Sequence, residues 1–99
     1  MDFSMSKTND VATLRIVGEL DAVTTRDLLP SIAALLAERH PRVVVDMSGL
    51  RLIDSSGVGV VVFLYKKAKA YGGVVTVRGL RDQPLSIFKL LRLDRVLLG

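Results

Sequence analysis

Residues 50–73 read LRLIDSSGVGVVVFLYKKAKAYGG, and the fold depends on how the middle of that stretch is read. Taken alone, VGVVVFLY (58–65) is β-branched and aromatic, the composition of a strand. Its surroundings favour a helix. Val58, Val61, Val62, Tyr65 and Ala68 recur on one helical face, KKAKA is good helix-forming sequence, and Gly72-Gly73 is a helix stop. We therefore read Ser56–Tyr71 as a helix, entered from the preceding strand through Asp54, Ser55 and Ser56.

Upstream, PRVVVDMSGL (41–50) contains a continuous apolar run from Arg42 to Val45 that ends at Asp46, as expected for a buried central strand. Before it, LDAVTTRDLLPSIAALLAERH (20–40) switches to helical spacing at Leu28, Leu29, Ile32, Leu35 and Leu36, with Thr24 or Thr25 as N-cap. Pro30 predicts that the regular helix starts near Leu29 and carries proline in its first turn. At the N-terminus, DFSMSK and VATLRIVGEL flank Thr8, Asn9 and Asp10 as an opening hairpin. In its second strand Ala12, Leu14 and Ile16 form the more apolar face, against Val11, Thr13, Arg15 and Val17.

Downstream, VVTVRGL (74–80) reads as a short strand, QPLSIFKLLRL (83–93) as a helix with Pro84 in its first turn, and RVLL (95–98) as a terminal strand. The order ββαβαβαβ predicts an α/β fold: one domain spanning residues 1–99, with a mixed β-sheet and helices packed mainly on one face.

Composition narrows the functions available. A chain of 99 residues, nearly half apolar and with few aromatics, has room for one core and little for a substrate pocket. With no cysteine and a single histidine, His40, neither a disulfide framework nor a thiolate or histidine metal centre can form, and no metal or cofactor is expected. The N-terminus lacks the pattern of a signal peptide, and the apolar run Gly57–Tyr65 is too short to span a bilayer, so the expected location is the cytoplasm, without membrane insertion. The net charge of +4 is uneven: residues before Arg51 carry 5 basic and 7 acidic groups, those from Arg51 onward 9 basic and 3 acidic. Such a field suits an anionic partner, but no aromatic residues are interleaved with the cations to stack bases, and direct nucleic-acid binding is not expected.

The serine pair has four chemical readings. It can be ordinary capping, in which one of Asp54, Ser55 and Ser56 accepts a free N–H of the first helical turn. It can be a nucleophile, but G-x-S-x-G is absent and His40, at the end of the preceding helix, is the only histidine. It can be a phosphate cradle, since GVG at a helix start gathers N–H groups, yet neither G-x-x-x-x-G-K-[ST] nor a full G-x-G-x-x-G is present. It can be a regulated phosphoacceptor: a hydroxyl at an exposed helix start, next to a glycine that leaves access for another protein, changes the surface charge without unfolding the domain.

VVVDMSGLRLIDSSGVGVVVFLYKKAKAYGG (43–73), together with VGELDAVT (17–24) and the trailing VVTVRGL, closely resembles STAS domains of the anti-sigma factor antagonist family, over most of the chain. The resemblance implies a non-enzymatic, phosphorylation-switched binding module. In that family the serine immediately before the glycine, here Ser56, is phosphorylated by a serine kinase of the histidine-kinase-like ATPase type that doubles as anti-sigma factor. A PP2C-type phosphatase restores it. The unphosphorylated form binds the kinase and releases its client. By the same likeness Asp54, Ser55 and Gly57 shape the acceptor loop and Asp21 contributes to the partner surface, although Asp21 as a helix cap is an equal alternative. The chain departs from the family at Leu91-Arg92-Leu93, where many relatives carry Ser-Gly-Leu. Two alternatives accompany the likeness: a STAS subunit of a membrane transport complex for lipids or anions, and a STAS domain that binds a small ligand or nucleotide.

Overall fold

The computed structural model describes residues 1–98. Its elements are β1 (Asp2–Thr8), β2 (Val11–Leu20), α1 (Thr24–Ala37), β3 (Arg42–Ile53), α2 (Ser55–Ala70), β4 (Val74–Arg78), α3 (Asp82–Leu90) and α4 (Asp94–Leu97). The four strands form one sheet in the order β1-β2-β3-β4, with β1 antiparallel to β2 and the other pairs parallel. Asn9 takes up the hairpin's positive φ of 54°, a conformation that asparagine tolerates better than most residues.

Period-two alternation sorts the strand residues onto two faces. Ala12, Leu14, Ile16 and Leu20 of β2, Val43, Val45, Met47, Leu50 and Ile53 of β3, and Val75 and Val77 of β4 are buried with Leu28, Ile32 and Leu35 of α1 and Val60, Val61, Leu64 and Ala68 of α2. Among the described residues the opposite face has no covering helix, its side chains being exposed or half-buried. The mixed sheet with helices mainly on one side is thus as expected.

The central ambiguity resolves as helix, shifted one residue earlier to Ser55–Ala70. Its buried stripe is Gly57, Val58, Val60, Val61, Leu64 and Ala68, so Val60 and Leu64 replace Val62 and Tyr65 in the expected core face. β-Branched residues suit this helix because burial of their compact side chains against the sheet outweighs a propensity difference of a few tenths of a kcal/mol per residue.

Four expectations need correcting. β3 does not stop at Asp46; it runs twelve residues to Ile53, passing two irregularities in its pairing with β2, between Arg15 and Val17 and between Gly18 and Glu19. α1 begins at Thr24, not near Leu29, with Pro30 in its interior. Pro30 and Arg26 both lie on the solvent side, so the Arg26 carbonyl that loses its partner faces water, which offsets much of the usual penalty of an interior proline. The helix is held at its start by Asp21 rather than capped by Thr24 or Thr25, as described below. Finally, RVLL is not a strand. The Leu97 N–H donates to the Leu93 carbonyl at 2.9 Å and the Leu98 N–H to Asp94 at 3.2 Å, and Leu97 enters the core. The order is ββαβαβαα.

The Leu91-Arg92-Leu93 segment also has a structural reading. After α3, the Leu93 N–H reaches back to the Phe88 carbonyl at 2.8 Å while Arg92 adopts φ +59°. That is a left-handed helix stop of the kind glycine fills without strain, and here arginine fills it.

Candidate functional site

The C-terminal ends of β2 and β3 lie side by side, with Leu20 paired to Ile53. The residues that follow them are Asp21 and Asp54. A backbone bond from the Asp54 N–H to the Leu20 carbonyl, 3.1 Å, ties the two loops together.

Asp54 caps α2. Its backbone is extended (φ −111°, ψ −173°), its Oδ1 accepts the Gly57 N–H at 3.1 Å, and its carbonyl accepts the Val58 N–H at 3.0 Å. Capping therefore requires neither serine. Ser55 is exposed and Ser56 half-buried at the first two positions of the helix, and both hydroxyls are left for other work.

Gly57 has a role that the sequence reading misjudged. It was expected to open access to the serine, yet it is buried. A Cβ at this position would stand 2.7 Å from the Leu20 carbonyl oxygen, 2.7 Å from Cγ1 of Ile53 and 2.9 Å from Cγ of Leu20. Glycine is required because the helix start packs directly on the end of β2; it positions the loop and presents no surface of its own.

Asp21 holds the neighbouring junction. Its Oδ1 accepts the N–H groups of Val23 (3.0 Å) and Thr24 (2.9 Å) and the Thr24 hydroxyl (3.1 Å), while the Asp21 N–H donates back to Thr24 Oγ1 at 2.9 Å. These bonds, led by the Thr24 N–H, hold the Asp21 carboxyl below its ordinary pKa. The capping alternative for Asp21 thus has a clear geometric basis, and the residue lies in the loop beside the serines.

One positioning residue escaped sequence reading. Gln83, on α3, accepts the Ile53 N–H through Oε1 at 3.0 Å and donates Nε2–H to the Ile53 carbonyl at 2.9 Å. β4 pairs with β3 only as far as Asp46, so the last residues of β3 lack a strand on that side. The Gln83 amide substitutes for one, bonding both backbone groups of the residue just before Asp54. The only sequence signal was a glutamine beside Pro84 in the first turn of a helix.

The geometry does not support hydrolysis by these serines. His40 pairs with Glu38 at 2.9 Å at the far end of β3, a whole strand away from Ser55 and Ser56. Surface depressions of about 410 and 490 Å³ lie elsewhere, one over the start of the parallel strands and the other between the ends of α1 and α2. Among the described residues no cluster of three or more His, Cys, Asp or Glu side chains converges, and no helix is long and apolar enough to cross a membrane.

The family model described as MlaB, STAS domain, matches residues 3–99. The chain belongs to the STAS domain family. Solved structures similar to this STAS domain include an anti-sigma factor antagonist from Mycobacterium paratuberculosis, at 26% identity over 97% of this chain and 81% of that one, with a TM-score of 0.83. The protein TM1081 from Thermotoga maritima superposes with a TM-score of 0.89 at 22% identity, covering 97% of this chain and 83% of its own. SpoIIAA, the Bacillus cell fate determinant, is similar in its phosphorylated form at 22% identity over 98% of this chain and 89% of that one, with a TM-score of 0.73. These likenesses establish the STAS fold. In this STAS domain the D-S-S-G element is the junction between β3 and α2, and Asp21, Asp54, Ser55, Ser56 and Gly57 all sit in the two adjoining strand-to-helix junctions.

Proposed function

We propose that this STAS domain is an anti-sigma factor antagonist whose surface is switched by phosphorylation of Ser56. The observation that carries the reading is that Asp54 takes the cap of α2, which leaves both serine hydroxyls at the helix start uncommitted. Supporting it is the likeness to the antagonist from Mycobacterium paratuberculosis.

In this reading the unphosphorylated loop docks on a serine kinase of the histidine-kinase-like ATPase type, which is also the anti-sigma factor, and frees its client. Phosphate on Ser56 adds a charge of about −1.5 to −2 at neutral pH. The positive end of α2 tolerates that charge, whereas the nearby carboxylates of Asp54 and Asp21 make the loop strongly anionic as a whole. An apolar or acidic partner surface is then expelled without unfolding of the domain, until a PP2C-type phosphatase restores the hydroxyl. The domain acts as substrate and ligand, not as an enzyme, and works in the cytoplasm.

The test pairs phosphosite mapping on protein from its own cells with binding of the kinase to Ser56→Asp and Ser56→Ala. Expected are phosphate at Ser56 that changes with growth condition, loss of kinase binding in Ser56→Asp, retention in Ser56→Ala, and little change in melting temperature for either. A kinase complex that survives Ser56→Asp overturns the switch. The matching family model names a STAS domain without naming an antagonist, so a STAS subunit of a membrane transport complex stands as the second reading. That reading expects co-purification with a membrane ATPase and full activity in Ser56→Ala.

A further inference from the structure

The face of the sheet opposite the helices is left exposed or half-buried. Strands β2, β3 and β4 are parallel, and parallel sheets are normally covered on both faces because each strand is buried on both. Here one face is covered. Cross-strand register sets out what the other presents: Thr8, Val11, Arg42 and Val74 in one row, Ser6, Thr13, Val44 and Thr76 in the next, and Ser4, Arg15, Asp46 and Arg78 in the third.

Two features of this face are unlike a merely solvated surface. First, it places valine at Val11, Val44 and Val74, the last 59% exposed, where threonine or a charged residue would be at home in water. These valines, with Thr76, line the depression of about 410 Å³, and Arg42 and Arg78 flank it. Second, its charge leans positive. The three rows hold three arginines against one acid, Asp46, and the next row adds a second acid, Asp2 beside Val17. Arg78 approaches Asp46 only at 3.7 Å and remains largely exposed, and among the described residues Arg15 and Arg42 have no acidic partner within 4.0 Å.

We propose that this face binds an acidic amphipathic helix of another protein, its apolar stripe on Val11, Val44 and Val74 and its carboxylates on Arg42, Arg78 and Arg15. Charge complementarity selects the occupant. A second copy of the same face would bring an equal excess of arginine against its own, so self-association is the poorer fit. Among the described residues the face has no aromatic ring on which a base could stack. Arg42 and Arg78 stand four residues apart along the sheet and on adjacent strands, roughly 14 Å between Cα atoms for ordinary strand spacings. A helix meets them with carboxylates about two turns apart and apolar residues between, the i, i+3, i+4, i+7 anchoring used in helix-in-groove recognition. This site is separate from the serine loop, so it does not depend on the Ser56 reading.

The experiment is photo-cross-linking in the protein's own cells, with p-benzoylphenylalanine in place of Val74 in the full chain, and in place of Lys66 on the helix side as control. The adduct peptide is identified by mass spectrometry. Expected is an adduct specific to the Val74 position, on a segment with alternating acidic and apolar residues at helical spacing. It should persist in Ser56→Asp and fall at least about tenfold in the double variant Arg42→Glu, Arg78→Glu. Both arginines are exposed, so a melting temperature close to that of the parent protein confirms that the double variant is folded. No adduct, an adduct to a second copy, to lipid or to a segment without that pattern, or an adduct indifferent to the charge reversal overturns the proposal.

Discussion

Placing the same methyl group two residues apart on α2 should change stability in opposite directions. At Gly57 an added Cβ meets the Leu20 carbonyl oxygen at 2.7 Å, and to lengthen that to an ordinary 3.4 Å contact the helix start must back away by about 0.7 Å. The obstacle is backbone on one side and the buried Ile53 side chain on the other, so neither can rotate aside. Such overpacking costs ~1–3 kcal/mol. The same retreat stretches the 3.1 Å bond from the Asp54 N–H to the Leu20 carbonyl, worth ~1 kcal/mol. Against this stands the helix-propensity gain of Gly→Ala, at most ~1 kcal/mol and less in the first turn. The net expectation for Gly57→Ala is a loss of about 2 kcal/mol, or a melting temperature lower by roughly 8–16 °C for a domain of this size. At Gly59 nothing lies within 4 Å of an added Cβ and the residue is exposed, so only propensity acts. Gly59→Ala should gain up to ~1 kcal/mol and raise the melting temperature by roughly 4–8 °C. Thermal and urea unfolding of the two variants measure both values. Equal effects, or a Gly57→Ala protein as stable as the parent, would refute the close approach of α2 to the end of β2.

Gln83→Leu keeps the side-chain size but strips both partners from Ile53, with an expected loss of ~1–3 kcal/mol and markedly faster hydrogen exchange at the Ile53 amide; unchanged exchange there would remove the amide clamp. Asp54→Ala should cost ~1 kcal/mol through the lost cap, and Asp54→Asn much less, since an amide oxygen can still accept the Gly57 N–H. Asp21 contributes a pH-dependent increment. Its folded pKa lies below the ordinary 3.8, so the unfolded chain binds the proton first, and the contribution is full above about pH 4–5 and is lost as pH falls through the lower folded value. Urea midpoints of the parent and Asp21→Asn should therefore differ at pH 7 and converge toward pH 2–3; a constant gap would mean that the carboxylate charge plays no part. Arg92→Gly relieves a left-handed φ of +59° and should stabilise by ~0.5–1 kcal/mol after the unfolded-chain entropy of glycine is counted, read as a higher melting temperature.

What could be read from the sequence was whatever local pattern decides. The hairpin at Asn9, the helix over VGVVVFLY and the one-sided sheet all follow from periodicity and punctuation that operate within a dozen residues. The failures are places where tertiary structure supplied a partner or water removed a penalty. Pro30 could stay inside α1 because the orphaned Arg26 carbonyl is on the wet side. MSGLRLI could extend β3 because β2 continues beside it to Leu20 and Gln83 completes the other edge. RVLL has strand propensity, but a helical turn satisfies its backbone locally and still delivers Leu97 to the core. At the candidate site the residue types were legible and one of their roles was not: the glycine after the serines looked like an opening, and only the position of the Leu20 carbonyl shows it to be a close contact.

The division of labour in the D-S-S-G element bears directly on how the two functional readings can be separated. Asp54 supplies the cap, Gly57 the close approach and Gln83 the strand edge, so the fold of the loop is secured by residues on either side of the serines and by none of their hydroxyls. Had Ser55 or Ser56 been the cap, substitution would have cost ~1 kcal/mol by itself, and lost binding in Ser56→Asp could have been read as local unfolding. With the cap elsewhere, the binding behaviour of serine variants reports on recognition alone. The one serine variant expected to disturb the loop is Ser56→Pro. It removes an N–H that the first helical turn leaves free in any case, but the ring disfavours the helical backbone that Ser55 adopts at the helix start. Ser56→Pro should thus lose stability where Ser56→Ala and Ser56→Asp do not, and melting curves of the three variants separate a folding role of this position from a switching one.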